Sequence, residues 1–385
     1  MSANDSPVLL DVTRLAWRRW AGRHPTGIDR VCLAYLRHFG ARAQAVVHHR
    51  RFRRIFDEGG SARVFDLLAA PPKNFRTAFV RECVRQVLPV ERAGKGRFYL
   101  NIGHTGLDSD GFRDWVEKTD VRPVYFVHDL IPVTHPHFCR IGEALRHRGR
   151  MRTVLATAAG VIANSQATLG ELADFADRNG LPFPPSLAAW LGSEPFSKPA
   201  KAGPGPPTFV ALGTIEARKN HLLLLGIWLK LVEKLGEKAP RLLIIGQRGW
   251  EAEDVFGILD GEAALRGHVV EINRASDLEI ASRLESSRAL LFPSNAEGYG
   301  LPLVEALALG VPVIASDLPV FREIGQGVPL LLDPADESGW EAAILDYARP
   351  ESAGRAAQLA RMKTFQPPNW PAHFRAVDEW LQTLR

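Results

Sequence analysis

ALLFPSNAEGYGLPLVEALALGVPVIASD, residues 289–317, decides how the rest of this 385-residue chain is read. ALLF is a short unbroken apolar run, as in a strand covered on both faces. It stops at Pro293, a polar loop follows, and a helix is expected to begin near Pro302, where a missing N–H costs nothing. Gly310 ends that helix and Pro312 opens the next strand. Glu297 lies in the loop and Glu305 on the expected first turn. Amides around Gly300, Leu301 and Leu303 are expected to face outward at the positive end of the helix dipole, where a diphosphate can sit. Glu305 is placed to accept from ribose hydroxyls and Glu297 from those of a sugar. A plain helix with a favourable acid would explain either glutamate taken alone.

Outward from this stretch the same alternation repeats. Beyond residue 207 the expected strands are TFVALG, RLLIIG, HVVEI, ALLFP, VPVIAS and PLLLD, separated by helical segments. Earlier in the chain come PVLLDV, AQAVVHH, RFYLNI, RPVYFV and GVIAN, with helices in TGIDRVCLAYLRHF and FRTAFVRECVRQVL. Between the two sets, SEPFSKPAKAGPGPP (193–207) is too rich in Pro and Gly to pack as a helix or central strand, so it reads as a connector. The expected class is α/β, with doubly wound domains at 1–192 and 208–365 and a final helical segment at 366–385. That segment carries Trp370, Phe374, Val377, Trp380, Leu381 and Leu384 on one stripe. Two such domains would face a cleft, with ligands beyond the carboxyl ends of the strands.

Composition excludes several classes. No run approaches the ~20 apolar residues of a membrane span. MSANDSPVLLDV has no basic segment ahead of an apolar core, so no secretion signal is read. Cys32, Cys83 and Cys139 are too few and too scattered for a disulfide framework, and reduced thiols in the cytoplasm are expected. Charge is uneven: residues 1–100 hold 19 Lys/Arg against 8 Asp/Glu, and the remainder 29 against 35. A solvated basic face explains this, as does a surface that meets an anionic membrane or a lipid diphosphate. Arg50, Arg51, Arg53 and Arg54, interleaved with Phe52 and Phe56, are the densest spot. No nucleic-acid module accompanies them, so nucleic acid is not expected as a partner.

A second motif, ALGTIEARKNHLLLL (211–225), puts Arg218 and Lys219 after a strand that ends at Gly213 and before an apolar helix. Two cations at such a turn can neutralise a departing diphosphate, a task otherwise given to magnesium.

With Glu297 and Glu305 eight residues apart inside AEGYGLPLVEALALGVPVIASD, and GTIEARKNH before them, residues 208–333 resemble the retaining glycosyltransferases of family 4. The resemblance implies a GT-B architecture with an N-terminal acceptor domain, a C-terminal donor domain, and a last helix that crosses back to the first domain. It makes Arg218 and Lys219 the diphosphate pair, Glu297 the carboxylate beside the donor sugar and Glu305 the ribose ligand. His128, in VYFVHDLIP, matches the cleft histidine whose side chain or carbonyl holds the sugar, while Asp129 braces the turn. HPTGIDRV (24–31) resembles the family's first phosphate-facing loop but has one glycine in place of two. Thr26 and Gly27 are its implied donor contacts, and Asp29 and Arg30 orient loop or acceptor. Asn164 and Ser165 end another strand, and helix capping explains Ser165 equally well. His135 and His137, near His128 in sequence, match no familiar metal site, and neither metal nor other cofactor is expected.

The implied reaction moves a hexose from a nucleotide sugar to a glycan or lipid-linked acceptor. GTIEARKNH and HDLIP resemble the forms in bacterial polysaccharide enzymes, several of which use GDP-mannose, and that resemblance implies this donor, with UDP- and dTDP-sugars open. The competing readings are a sugar-nucleotide epimerase on the same shell and a non-catalytic nucleotide-sugar-binding scaffold. A nicotinamide enzyme is disfavoured because PVLLDVTRLAW lacks a G-x-G-x-x-G turn.

Overall fold

The structure, a computed structural model, describes residues 8–22, 26–49, 52–86, 94–193 and 205–384. Most of the expected connector, together with Arg50 and Arg51, lies outside the described residues. Two compact units emerge: residues 1–130, 145–191 and 370–385 form the first, and residues 131–144 and 192–369 the second. The first is therefore not the continuous stretch 1–192. Residues 131–144 join the second unit, where the Arg140 guanidinium lies 5.1 Å above the Trp250 ring.

The first unit holds a seven-stranded sheet built from β1 (Val8–Asp11), β2 (Ala43–His49), β3 (Phe52–Ile55), β4 (Phe98–Asn101), β5 (Arg122–Val127), β6 (Gly160–Ala163) and β7 (Ser186–Ala188). Its order is β3-β2-β1-β4-β5-β6-β7, parallel throughout except for β3, which runs antiparallel to β2. The buried strands β4 to β6 carry the apolar runs that announced them. β7 and β3 are the unannounced ones, and β3 lies in the basic stretch. Its sequence, FRRI, sits half-exposed at the edge, so the pairing with β2 and not burial holds it. Arg53 there bonds Ser109 Oγ at 2.9 Å and the Asp110 carbonyl, and Arg54 lies over the Phe52 ring. Phe56, expected at this basic surface, is fully buried instead.

The second unit holds a six-stranded, wholly parallel sheet of β8 (Thr208–Leu212), β9 (Arg241–Ile245), β10 (Val269–Ile272), β11 (Ala289–Phe292), β12 (Val313–Ser316) and β13 (Leu330–Leu332). The order is β10-β9-β8-β11-β12-β13. One face packs on Leu224, Trp228 and Leu231 of the helix His221–Leu235 and on Trp340. Both indoles are buried with their N–H satisfied, Trp228 on the Pro240 carbonyl at 2.8 Å and Trp340 on that of Asp333 at 3.0 Å.

The helix Trp370–Thr383 packs within the first unit. Its stripe puts Phe374 flat on His38, with centroids 4.1 Å apart, and edge-on to Tyr35. His373 Nδ1 donates to the Trp190 carbonyl at 3.0 Å, which leaves Nε2 to accept from the Tyr35 hydroxyl at 3.0 Å. Asp378 pairs with His38 and Arg42 at 2.8 and 2.6 Å. Trp380 covers Gly160, where a Cβ would come within 2.6 Å of the indole.

Candidate active site

In the second sheet the chain passes from β8 to β9 on one side, while β11 lies on the other. The loops leaving the carboxyl ends of β8 and β11 therefore diverge, and a crevice opens between them. Both motifs lie on those two loops.

After β8 the backbone turns at Gly213, whose φ of +138° only glycine adopts readily. A Cβ here would stand in ordinary contact with the Lys219 amine, 3.5 Å away, so the backbone angle and not crowding calls for glycine. A single 3-10 turn, Ala217–Lys219, then leads into the helix His221–Leu235. This turn aims both cations at the β11 loop, and the Asn295 amide bonds the Arg218 carbonyl at 2.7 Å to fix the two loops together.

Four charged side chains meet there. Arg218 Nη1 lies 2.8 Å from Glu297 Oε2, and its Nη2 2.6 Å from Glu216 Oε1. Lys219 Nζ donates to Glu297 Oε1, which also accepts from Ser294 Oγ at 2.8 Å, and the amine lies 4.8 Å from the centre of the Phe292 ring. Glu216, Lys219 and Glu297 are nearly inaccessible. Burial alone would raise the Glu297 carboxyl, but Arg218 and Lys219 outweigh it and hold it down at about 2. Burial lowers Lys219, against the Glu297 charge that supports its cation. Burial likewise raises Glu216, only partly offset by the two cations. Its Oε2 is buried without a hydrogen-bond partner, a cost kept in few native sites without a reason. Glu216 escaped the sequence reading. Its signal was there in GTIEARK, an acid two residues before Arg218, but its partner was visible only once the turn was folded.

The helix after β11 spans Leu301–Ala308, capped by Gly300 at φ +107°. A Cβ on Gly300 would stand 2.6 Å from the Phe321 ring, so this position needs glycine twice over. Two expectations change. Pro302 is the second helical residue, which moves buried Glu305 from the first turn into the second. The Leu303 amide is already spent on the Gly300 carbonyl at 3.0 Å and is not a ligand donor. The Gly300 and Leu301 amides have no partner among the described residues.

In the first sheet the corresponding divergence falls between β1 and β4. Thr26 caps the helix Gly27–Phe39 in a capping box with Asp29, whose Oδ2 accepts from the Thr26 amide at 2.7 Å. Asp29 is buried between Arg14 at 2.7 Å and Arg18 at 2.9 Å, so it ties Thr26 to the helix Thr13–Trp20. His128 ends β5 with Nε2 on the Ile102 carbonyl at 2.7 Å. A carbonyl only accepts, so Nε2 carries the proton and Nδ1 is the nitrogen left over. Burial keeps the ring neutral, with its pKa down at about 4. Its own carbonyl, an expected sugar contact, already accepts from Asn164 Nδ2 at 2.8 Å. Ser165 Oγ accepts the Thr168 amide at 3.1 Å, which is helix capping. Among the described residues no three His, Cys, Asp or Glu side chains are grouped as metal ligands.

Residues 193–349 match the family model described as "Glycosyl transferases group 1". Among curated proteins, the chain is 38% identical over 120 residues to the Escherichia coli serotype-specific mannosyltransferase WbdA, covering 31% of this chain and 14% of that protein. It is 32% identical over 157 residues to the Escherichia coli O-antigen chain mannosyltransferase B, covering 40% of this chain and 41% of that one. The chain thus spans well under half the length of these relatives. Among solved structures, Anabaena HepE in complex with UDP-glucose superposes with a TM-score of 0.68 over 98% of this chain and 99% of its own, at 14% identity. Likeness at that identity speaks for architecture alone: two doubly wound units of the GT-B fold, the second bearing a segment like that of the group 1 glycosyl transferases.

Proposed function

We propose that the chain is a retaining, metal-independent glycosyltransferase of surface-polysaccharide synthesis. It moves a hexose, with GDP-mannose the favoured donor, onto a hydroxyl of a glycan or lipid-diphosphate acceptor. The observation that carries this reading is the convergence of Arg218, Lys219 and Glu297 beside a helix whose cap and first amides, Gly300 and Leu301, have no partner among the described residues. The names of the mannosyltransferase relatives support the choice of sugar.

Without donor, Glu297 holds both cations in place. An arriving diphosphate is a stronger anion. It takes over Arg218, Lys219 and the Gly300 and Leu301 amides, and releases Glu297 to accept from a sugar hydroxyl. Glu305 receives the ribose, and His128 is assigned to the sugar through Nδ1. The bond from the anomeric carbon to the diphosphate oxygen breaks, and a bond to the acceptor oxygen forms on the same face. The acceptor's proton passes to a phosphate oxygen of the leaving group. The cations and the helix tip stabilise the charge that leaves, the part otherwise given to a divalent ion. A lipid-linked acceptor would place the reaction at the cytoplasmic face of a membrane. Among the described residues no helix is long and apolar enough to cross one.

A thermal-shift panel of GDP-, UDP- and dTDP-sugars, followed by turnover with the stabilising donor, tests the reading. One nucleotide sugar should raise the melting temperature, and transfer should give free nucleoside diphosphate without added metal. No stabilisation by any donor, an epimerised donor formed without acceptor, or full dependence on a divalent ion would overturn it.

A further inference from the structure

A cleft of about 600 Å³ opens in the first unit between the loop that leaves the carboxyl end of β4 and one flank of the helix Glu143–Thr157. That volume is within the ~300–1,000 Å³ of small-molecule sites. Its walls are tied down. Arg53 bonds Ser109 Oγ at 2.9 Å and the Asp110 carbonyl, and Asp108 joins the loop to the helix through Arg146 at 3.4 Å and Arg150 at 3.3 Å. Gly149 lines the cleft from the middle of the helix. Glycine weakens a helix interior, so one kept there usually permits close packing. Nothing packs on this one: a Cβ would meet no atom within 4 Å beyond its own helix backbone and chain neighbours. What the missing side chain preserves is the width of the cleft.

The lining sets Asp108, Asp110 and Asp114 against Arg113 and Arg146, with Leu145 exposed to 76% at the mouth. The carboxylates of Asp110 and Asp114 and the guanidinium of Arg113 make no hydrogen bond or ion pair among the described residues. Carboxylates only accept and guanidinium groups only donate, so together they suit hydroxyls, which do both. Three carboxylates in so small a space repel a phosphate or a nucleotide. An exposed leucine beside them offers an apolar contact for the C–H face of a pyranose ring. The loop and the helix that wall the cleft also hold His128. The Ile102 carbonyl accepts from its Nε2 at 2.7 Å, and the His104 ring lies 5.2 Å from the His128 ring and 5.8 Å from that of His147. His147, on the helix, donates from Nε2 to the Asp129 carbonyl at 3.1 Å.

We infer that this cleft is the subsite for an uncharged oligosaccharide, the part of the acceptor glycan that lies behind the sugar receiving the transfer. Its hydroxyls bridge Asp110, Asp114 and Arg113, and a ring face rests on Leu145. The inference rests on the transferase reading above and deepens it by naming the acceptor's class: a short neutral glycan, held by more than its terminal sugar.

Titration of the full chain with neutral trisaccharides of mannose, glucose or galactose, read by saturation-transfer NMR without donor, tests the cleft apart from catalysis. At least one should bind, and inorganic phosphate should not displace it. Gly149→Phe, whose ring would fill the cleft, should weaken binding about tenfold or more, with a melting temperature equal or higher because a mid-helix glycine is gone. Asp110→Asn with Asp114→Asn keeps the shape, removes the charge and should weaken binding about tenfold. In transfer assays both variants should show the loss in KM for the bound trisaccharide and not in kcat. No binding of any trisaccharide, undiminished binding by both variants, or displacement by phosphate would each overturn the inference and leave the transferase reading standing. Glycan binding that both variants weaken, with no transfer from any donor, would uphold the cleft and count against that reading instead.

Discussion

Arg218 Nη1 lies 2.8 Å from Glu297 Oε2, an ion pair that joins the loop after β8 to the loop after β11. Arg218 and Lys219 are therefore not waiting in solvent. They are stored against carboxylates in a compact cluster of two positive and two negative groups, and the proposed donor would bind by exchanging one anion for another. Several consequences can be measured.

Lys219→Ala removes the better buried of the two cations. Its charge matters most as the diphosphate departs, so turnover should fall at least about 100-fold, with a smaller change in donor affinity. Steady-state kinetics with saturating donor checks this. A near-normal rate would remove Lys219 from the leaving-group role.

Glu216→Gln keeps the shape of the cluster and deletes one negative charge beside Arg218. The variant should hold nucleoside diphosphate more tightly, by about tenfold, with a steeper dependence on salt. Calorimetric titration of GDP and UDP at two ionic strengths decides it. Unchanged affinity would make Glu216 a structural brace alone.

Stability should fall as the solution is acidified below neutrality. Burial holds His48 down at about 3, and His128, His221 and His373 at about 4. An unfolded chain takes up these protons near pH 6.5 and the folded one only far lower, so their stabilisation is whole above about 6.5 and drains away beneath it. Asp11 and Glu171, raised by burial to about 6 and 7, work in the opposite sense, but they are fewer. Glu297, held at about 2, adds a further loss below about 4.5. Melting temperatures should decline from pH 7 to 5, by on the order of a few kcal/mol in stability, and more steeply below 4.5. A flat profile would contradict the neutral buried state of these histidines.

Phe374→Ala should cost about 3–5 kcal/mol, because the ring fills the space between Tyr35, Phe39 and His38. Chemical denaturation should show the loss in the first unit while the second unit keeps its own transition.

Most parallel strands were legible because burial on both faces demands unbroken apolar runs, as in ALLF and RLLII. β3 was not, since FRRI is held by edge pairing and by arginines that reach Ser109 and Asp110. β7 is three residues long and half-exposed, which leaves no pattern to read. In the site, Arg218, Lys219 and Glu297 were found by motif, and the structure brings them together across 78 residues of sequence. The engagement of the Leu303 amide and the place of Glu305 one turn later depended on where the helix began, a detail of one residue that composition does not fix.

The helix Trp370–Thr383 belongs to a unit whose other pieces end at residue 191. During synthesis the ribosome must therefore finish the entire second sheet before the first can be sealed over Tyr35, Phe39 and Gly160. Until then the nascent chain carries an uncovered aromatic pocket, so the half made first is the half that matures last.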